Sequence, residues 1–291
     1  MKNIGGQAVI EGVMMKGRKG WSVAVRSANG EIHIKKEPLN ELPFFLKLPL
    51  IRGFSSLIHA LILGIKAIEY SASKVYEEEG KQLSNISIFL TILTSMLLGI
   101  ALFILLPLYL TKIIGALFPQ ILNNSLLFNL VDGIIRILFF LLYIIIIGLW
   151  KDIRRIFEYH GAEHKVIHAY ENGNDLSINN IKKHSPLHPR CGTSFLLIVM
   201  VISILTFSFI PKELPFIYKF LSRIILIPLI AGISYEFLKL SAKIKNNPIV
   251  KILIQPGLML QKLTTREPDE SQIEVAIKAL EEVLRLEESN A

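Results

Sequence analysis

The chain has 291 residues, 52% of them apolar, and a mean hydropathy of +0.49, values that exclude an ordinary soluble enzyme and point to a protein of the bilayer. On such a chain a formal charge of +8 serves orientation and contact with anionic headgroups, so nucleic acid is excluded as a partner. A single cysteine, Cys191, excludes an internal disulfide framework.

The first apolar stretch is broken by glycines and by Glu11, and lacks the central apolar block of a secretory signal. Residues 1–43 read as a small β unit. Gly5–Met15 is expected as one strand with glycines at its bends. Trp21–Ser27 and Glu31–Lys36 alternate about Asn29-Gly30, which predicts a hairpin with a type I′ turn. Glu11 lies in an apolar, glycine-flanked stretch. It is expected either to pair with a cation such as Arg52 or to point into a site, and the second reading is preferred. Within residues 44–85, Pro49–Tyr76 has helical apolar periodicity interrupted by Arg52, His59, Lys66, Glu69 and Lys74. This predicts an amphipathic helix on the membrane surface or against the cytoplasmic part of the chain, ended by Glu77-Glu78-Glu79-Gly80.

Residues 86–240 are expected to form a four-helix membrane region. The spans are Ile86–Leu110, Leu126–Trp150, Ser194–Ile210 and Phe216–Tyr235; a soluble bundle with long core helices is the alternative. Asp132 and Arg136 stand one helical turn apart inside the second span, and Arg223 is placed to pair with Asp132 or to snorkel. The connection 111–125 carries one basic residue, Lys112, and the last connection only Lys212. Between the second and third spans lie Lys151, Arg154, Arg155, Lys165, Lys182, Lys183 and Arg190. By the positive-inside rule both termini and this central loop, 151–192, face the cytoplasm.

The second span is expected to continue as helix to Ala169, with Gly161 as a bend and Glu171-Asn172-Gly173-Asn174 as the stop. Thr193 or Ser194 would cap the third span, leaving Cys191 near a helix N-terminus that favours a thiolate. In 241–291, Asn246-Asn247-Pro248 breaks the fourth helix. Ile249–Leu263 contains Pro256-Gly257 and reads as interfacial or re-entrant, and Thr264–Pro268 as a linker. Asp269–Glu288 is an acidic amphipathic helix with Asp269 and Gln272 in capping-box spacing and Ile273, Ile277, Leu280 and Leu284 on one face.

The chemistry concentrates in Glu158–Glu171, EYHGAEHKVIHAYE. His160, His164 and His168 recur at i, i+4 and i+8, so on a helix they share a face with Glu163 and Glu171. Two imidazoles one turn apart can hold a divalent metal, and a neighbouring carboxylate can take a proton from water. His160-Gly-Ala-Glu163-His164 also fits the order H-x-x-E-H. His188 and Cys191 are further candidate ligands, and a Cys with His donors suits Zn²⁺. In the rival reading Cys191 is a nucleophile activated by a nearby histidine. His184 is expected to be a solvated loop residue, and His33 and His59 structural.

GGQAVIEGVMMKG, EYHGAEHKVIHAYE, HPRCGTSF and PGLMLQKLTTREPDESQIEVAI together resemble the YqhQ-like family of bacterial membrane proteins, over nearly the whole chain. Members of that family are described as predicted metal-dependent enzymes without an established activity, a description that rests on these same His, Glu and Cys positions. The resemblance implies the bacterial cytoplasmic membrane as location. The expected fold is a polytopic α-helical membrane protein with about four transmembrane helices and a small cytoplasmic α+β region. The expected function is a metal-dependent hydrolase at the cytoplasmic membrane face. His160, His164, His168, His188 and Cys191 are its candidate metal ligands, Glu163 its general base, and Glu11 and Cys191 further candidate catalytic residues. A metal-binding scaffold or assembly factor, and a transporter using Asp132, Arg136 and Arg223, are the alternatives. The bilayer, an unidentified substrate and a second copy of the chain are the expected partners.

Overall fold

The computed structural model describes residues 4–76, 85–189, 191–211, 213–243 and 247–288. The expected helix stop at 77–80, Arg190, Lys212 and Asn246 lie outside them. Four strands open the chain: β1 (Gly5–Val9), β2 (Gly12–Lys16), β3 (Gly20–Arg26) and β4 (Ile32–Pro38). The helices follow as α1 (Ile51–Tyr76), α2 (Asn85–Ile100), α3 (Leu106–Leu117), α4 (Pro119–Leu122), α5 (Ser125–Ile147) and α6 (Lys151–Glu171). After them come α7 (Ile178–Ile181), α8 (Gly192–Phe207), α9 (Phe216–Ile225), α10 (Ile227–Lys243), α11 (Pro248–Thr264) and α12 (Glu270–Glu288).

The strands form one antiparallel sheet in the order β1-β2-β3-β4. Strand alternation sends Val13, Met15 and Ala24 to one face, where α6 and α12 supply Tyr159, Val166, Ile273 and Leu280. Met14, Trp21, Val23 and Val25 go to the other, where α1 supplies Leu63 and Ala67. Segments from both ends and from the middle of the chain therefore build one helix–sheet–helix unit. The α12 end is fixed by its capping box: the Asp269 carboxylate accepts from the Gln272 N–H at 2.9 Å, and the Gln272 side chain accepts from the Asp269 N–H at 2.9 Å.

Two turns differ from expectation. Gly5–Met15 is not one strand but a tight hairpin turning at Ile10-Glu11, with Glu11 in the left-handed region at φ 48°. The second hairpin is closed by Ser27–Glu31. There Gly30 alone takes positive φ, 90°, and its N–H bonds the Ser27 carbonyl at 2.9 Å, so the loop is longer than a type I′ turn. Asn29 instead uses its side-chain oxygen to accept the Glu31 N–H at 2.9 Å.

Among the described residues, three helices are long and apolar enough to cross a membrane: Ile51–Tyr76, Ile86–Leu117 and Ser125–Ile147. The second contains a π-helical stretch, Ala101–Leu105. The α9–α10 pair makes a fourth if counted as one span bent by 45°. The bend falls at Leu226, two residues before Pro228, which has no N–H to continue the ladder. Gly192–Phe207, the expected third span, is apolar but has 16 residues. Nor does the second span run on unbroken. α5 closes at Ile147, and α6 restarts after an extended Trp150 at ψ 134°. Ile249–Leu263 is not interrupted at Pro256: α11 passes through it and lies against α8.

The charges among the apolar helices meet one another. The Asp132 carboxylate accepts from Arg136 at 2.8 Å and from Arg223 at 3.0 Å, and Arg223 also donates to the Asn129 side chain at 3.0 Å. Both guanidiniums lie about the Phe207 ring. Arg52 pairs with Glu236, tying α1 to α10.

Leu280→Ala, which empties the space between α12 and the sheet, should cost about 2–5 kcal/mol. Lys278→Ala, on the exposed face of the same helix, should stay within about 0.5 kcal/mol. Thermal midpoints of the two variants in detergent check this difference.

Candidate metal centre

The site begins with how α6 is held. Its apolar side is buried against the sheet and α12, which turns His160, Glu163, His164 and His168 toward the rest of the chain. Segment 264–268 crosses α6 at Gly161. The Arg266 N–H bonds the Phe157 carbonyl at 2.9 Å, and the Arg266 carbonyl oxygen lies 2.0 Å from where a Cβ on Gly161 would sit. Gly161 thus permits a backbone contact and is not a bend in α6. Buried Lys165 fastens the far side, donating to the Lys182 carbonyl at 2.9 Å and pairing with Glu267.

These contacts bring backbone carbonyls onto the histidines. His160 Nδ1 lies 2.8 Å from the Thr264 carbonyl, and His164 Nδ1 lies 2.6 Å from the Pro186 carbonyl. A carbonyl only accepts, so each Nδ1 carries the hydrogen, and in the neutral rings each Nε2 presents its lone pair. The His160 Nε2 lone pair lies 3.2 Å from the Cys191 sulfur. One donor atom each from His160, His164 and Cys191 falls within 4.8 Å of the others. Cys191 itself caps α8, its sulfur accepting the Thr193 N–H at 3.4 Å, in the place expected of Thr193 or Ser194.

Glu163 stands beside this group. It is buried, and the Gly6 N–H bonds its carboxyl. A Cβ on Gly6 would lie 2.9 Å from the Glu163 Cγ, so the strand approaches this closely only with glycine there. Burial pushes Glu163 up to about 8, with His160 opposing the shift. Burial also pushes His164 down to about 2, helped by His160, and His188 down to about 4, helped by His168. The Cys191 thiol is raised by burial, so the helix N-terminus does not win there as expected. A cavity of about 440 Å³ opens over the group, lined by Gly6, His160, Glu163, His164, His188 and Cys191 and by the apolar Ile156, Phe157 and Leu196.

Not all expected ligands join. His168 Nε2 bonds the Leu187 carbonyl at 2.9 Å, and its ring stacks on His184. His188 Nε2 faces Glu171 at 3.3 Å. Both hold the 184–191 loop in place of completing the donor group. Glu11 does not point into the site. At the β1–β2 turn it makes a two-point ion pair with Arg155 and accepts from Tyr159 at 3.3 Å. The preferred expectation of a site residue is thus replaced by the ion-pair alternative, with Arg155 in the place of Arg52.

Sequence reasoning missed Gln261. Fully buried on α11, its side-chain amide accepts from the His188 N–H at 2.8 Å and donates to the His188 carbonyl at 2.8 Å and to Ser194 at 3.1 Å. It thereby sets the backbone that leads into Cys191. Its only sequence signal was a polar residue inside an apolar helix. Thr264 and Pro186 act through backbone carbonyls, which side-chain patterns do not disclose.

A helical protein with membrane-length helices, a four-stranded sheet and a His–His–Cys–Glu cluster, buried except for the half-buried His160, is the class these features define. The chain belongs to the DUF1385 family, described as "Protein of unknown function", whose model matches residues 48–286. It is similar to "Uncharacterized protein YqhQ" of Bacillus subtilis (strain 168), 35% identical over 299 residues that cover 97% of this chain and 92% of that protein. No solved structure matches it.

In metal-free protein the titrations give opposite pH trends. The folded Glu163 keeps its proton to about pH 8, whereas an unfolded glutamate ionises near 4.5, so this group costs stability as pH rises through that window. His164 and His188, lowered to about 2 and about 4 from 6.5, cost stability as pH falls below 6.5. In chelator, Glu163→Gln should therefore gain on wild type as pH rises from about 5 to 8. A stability difference that stays constant over that range would contradict the buried, protonated carboxyl.

Proposed function

We propose that the chain is a membrane-inserted, metal-dependent hydrolase with its site at the cytoplasmic face. One observation carries the reading. Two backbone carbonyls fix the His160 and His164 tautomers so that each ring presents its Nε2 lone pair, and one donor atom from each ring falls within 4.8 Å of the other and of the Cys191 sulfur, beside Glu163 and a cavity. Carbonyl-fixed imidazoles are the usual outer support of metal ligands, and two nitrogens with one sulfur suit Zn²⁺. Three protein donors facing a cavity leave a fourth position for water or substrate, the arrangement of catalytic sites. A divalent cation held there supplies Lewis acidity, lowering the pKa of water and polarising a substrate oxygen.

The chain's own residues do the rest. The Gly6 N–H orients the Glu163 carboxylate toward the cavity. Glu163 takes a proton from water as the new bond from oxygen to carbon or phosphorus forms. It returns that proton to the leaving oxygen as the ester bond breaks. A carboxyl beside the cavity can take up a proton and give it back, as both transfers require. Gln261, His168 and His188 keep the Cys191 loop in register.

A second reading rests on the 3.2 Å contact of His160 Nε2 with Cys191, with Nδ1 oriented by Thr264, which is also a nucleophile–base arrangement. Burial raising the thiol disfavours it. Mutual pairing of Asp132, Arg136 and Arg223 weighs against the transport reading.

Purified protein should carry about one zinc per chain, and His160→Ala, His164→Ala and Cys191→Ser should each lose it. Glu163→Gln should keep the metal yet fail to complement a deletion strain. Full complementation by Glu163→Gln sinks the hydrolase mechanism, and Cys191→Ser that keeps metal but loses function favours the thiol reading. Reporter fusions should place Asn172 inside and residues 112–124 outside; an external signal at Asn172 sinks the cytoplasmic site.

A further inference from the structure

We infer that the site takes a membrane lipid, whose polar end occupies the cavity while its apolar chain stays in the bilayer; the inference rests on the membrane-face hydrolase reading and narrows its substrate. Three observations place the cavity at headgroup depth. First, Cys191, one of the three converging donors, caps a wholly uncharged helix of 16 residues. The apolar surface of that helix therefore begins within one turn of the donor. Second, α5 ends at Ile147 and is followed by Leu149 and Trp150, 78% and 62% exposed. Exposed Trp beside an apolar helix end marks the same boundary plane. α6 restarts there and delivers Ile156 and Phe157 to the cavity within two turns. Third, Leu196 of α8 lines the cavity and is 41% exposed, so the lining continues onto the exposed apolar surface of that helix.

The cavity lining thus divides into polar groups, His160, Glu163, His164, Cys191 and Thr193, and apolar side chains, Ile156 and Phe157 of α6 and Leu196 of α8. That division matches an amphiphile with its ester or phosphoester at headgroup depth. An extended peptide fits less well. Pairing alternates along the β1–β2 hairpin, and Gly6 falls on the outer edge of β1, where a peptide would add. The Gly6 N–H on that edge is already bonded to Glu163.

The test is photolabelling of the full chain in phospholipid vesicles. One probe is a phospholipid with a diazirine in its headgroup; the other is the same headgroup on glycerophosphate without acyl chains. The lipid probe should label residues 4–8 and Thr264 inside the cavity, and the chain-free probe should not. Leu196→Trp, which narrows the apolar mouth, should lose most of this labelling. Glu163→Gln should retain it, because binding does not need the proton transfer. Absence of cavity labelling in wild type, or equal labelling by the chain-free probe, overturns the inference. Cavity labelling by lipid in a protein that hydrolyses no ester would leave the lipid site standing and remove the hydrolase reading. Turnover of a soluble ester without lipid labelling would do the reverse.

Discussion

The histidines of α6 meet backbone carbonyls, and those bonds decide which nitrogen is left for chemistry. A histidine on a helix face has two ring nitrogens and several rotamers, so spacing alone leaves its role open. Thr264 and Pro186 remove that freedom for His160 and His164, and Leu187 removes it for His168 in the opposite sense. Three residues of one periodic series are thereby divided: His160 and His164 present Nε2, and His168 presents Nδ1. The carbonyls can reach α6 because Gly161 lets the Arg266 backbone touch the helix and because Lys165 holds both neighbouring segments.

This arrangement ties the site to the stability of the helix–sheet–helix unit. α6 buries its other face against the sheet and α12, and segment 264–268 connects α11 to α12 directly over α6. Displacing α12 would therefore carry Thr264 away from His160. The apolar helices enter through α8 and α11: Gly257 lets α11 approach Ser194 closely, and Gln261 then reaches the His188 backbone. A donor at the cap of α8 and two donors on α6 are thus registered by a glutamine on a third helix.

Much of this was legible in the sequence. The i, i+4 histidines, Glu163, Cys191 and the capping box at Asp269 were readable because side-chain periodicity and cap chemistry are local. Strand alternation about Asn29-Gly30 gave the second hairpin, although Gly30 alone takes positive φ. The remainder depended on long-range backbone contacts. Nothing local distinguishes His168 from His164; the difference lies in which carbonyl of the 184–191 loop each ring meets. Glu11 was read as aimed into a site because its cation, Arg155, is 144 positions away. The break at 148–150 was hidden for a related reason. Gly148-Leu149-Trp150 contains no proline, and the interruption follows from docking α6 on the sheet.

Two histidine nitrogens and one cysteine sulfur lie within 4.8 Å of one another. Cobalt substitution followed by X-ray absorption at the metal edge measures that donor set directly. The arrangement predicts one sulfur and two imidazole nitrogens, with the remaining scatterer a light atom, and loss of the sulfur shell in Cys191→Ser. A bound metal whose shell contains no sulfur, or one that keeps both imidazoles in His160→Ala, would contradict it.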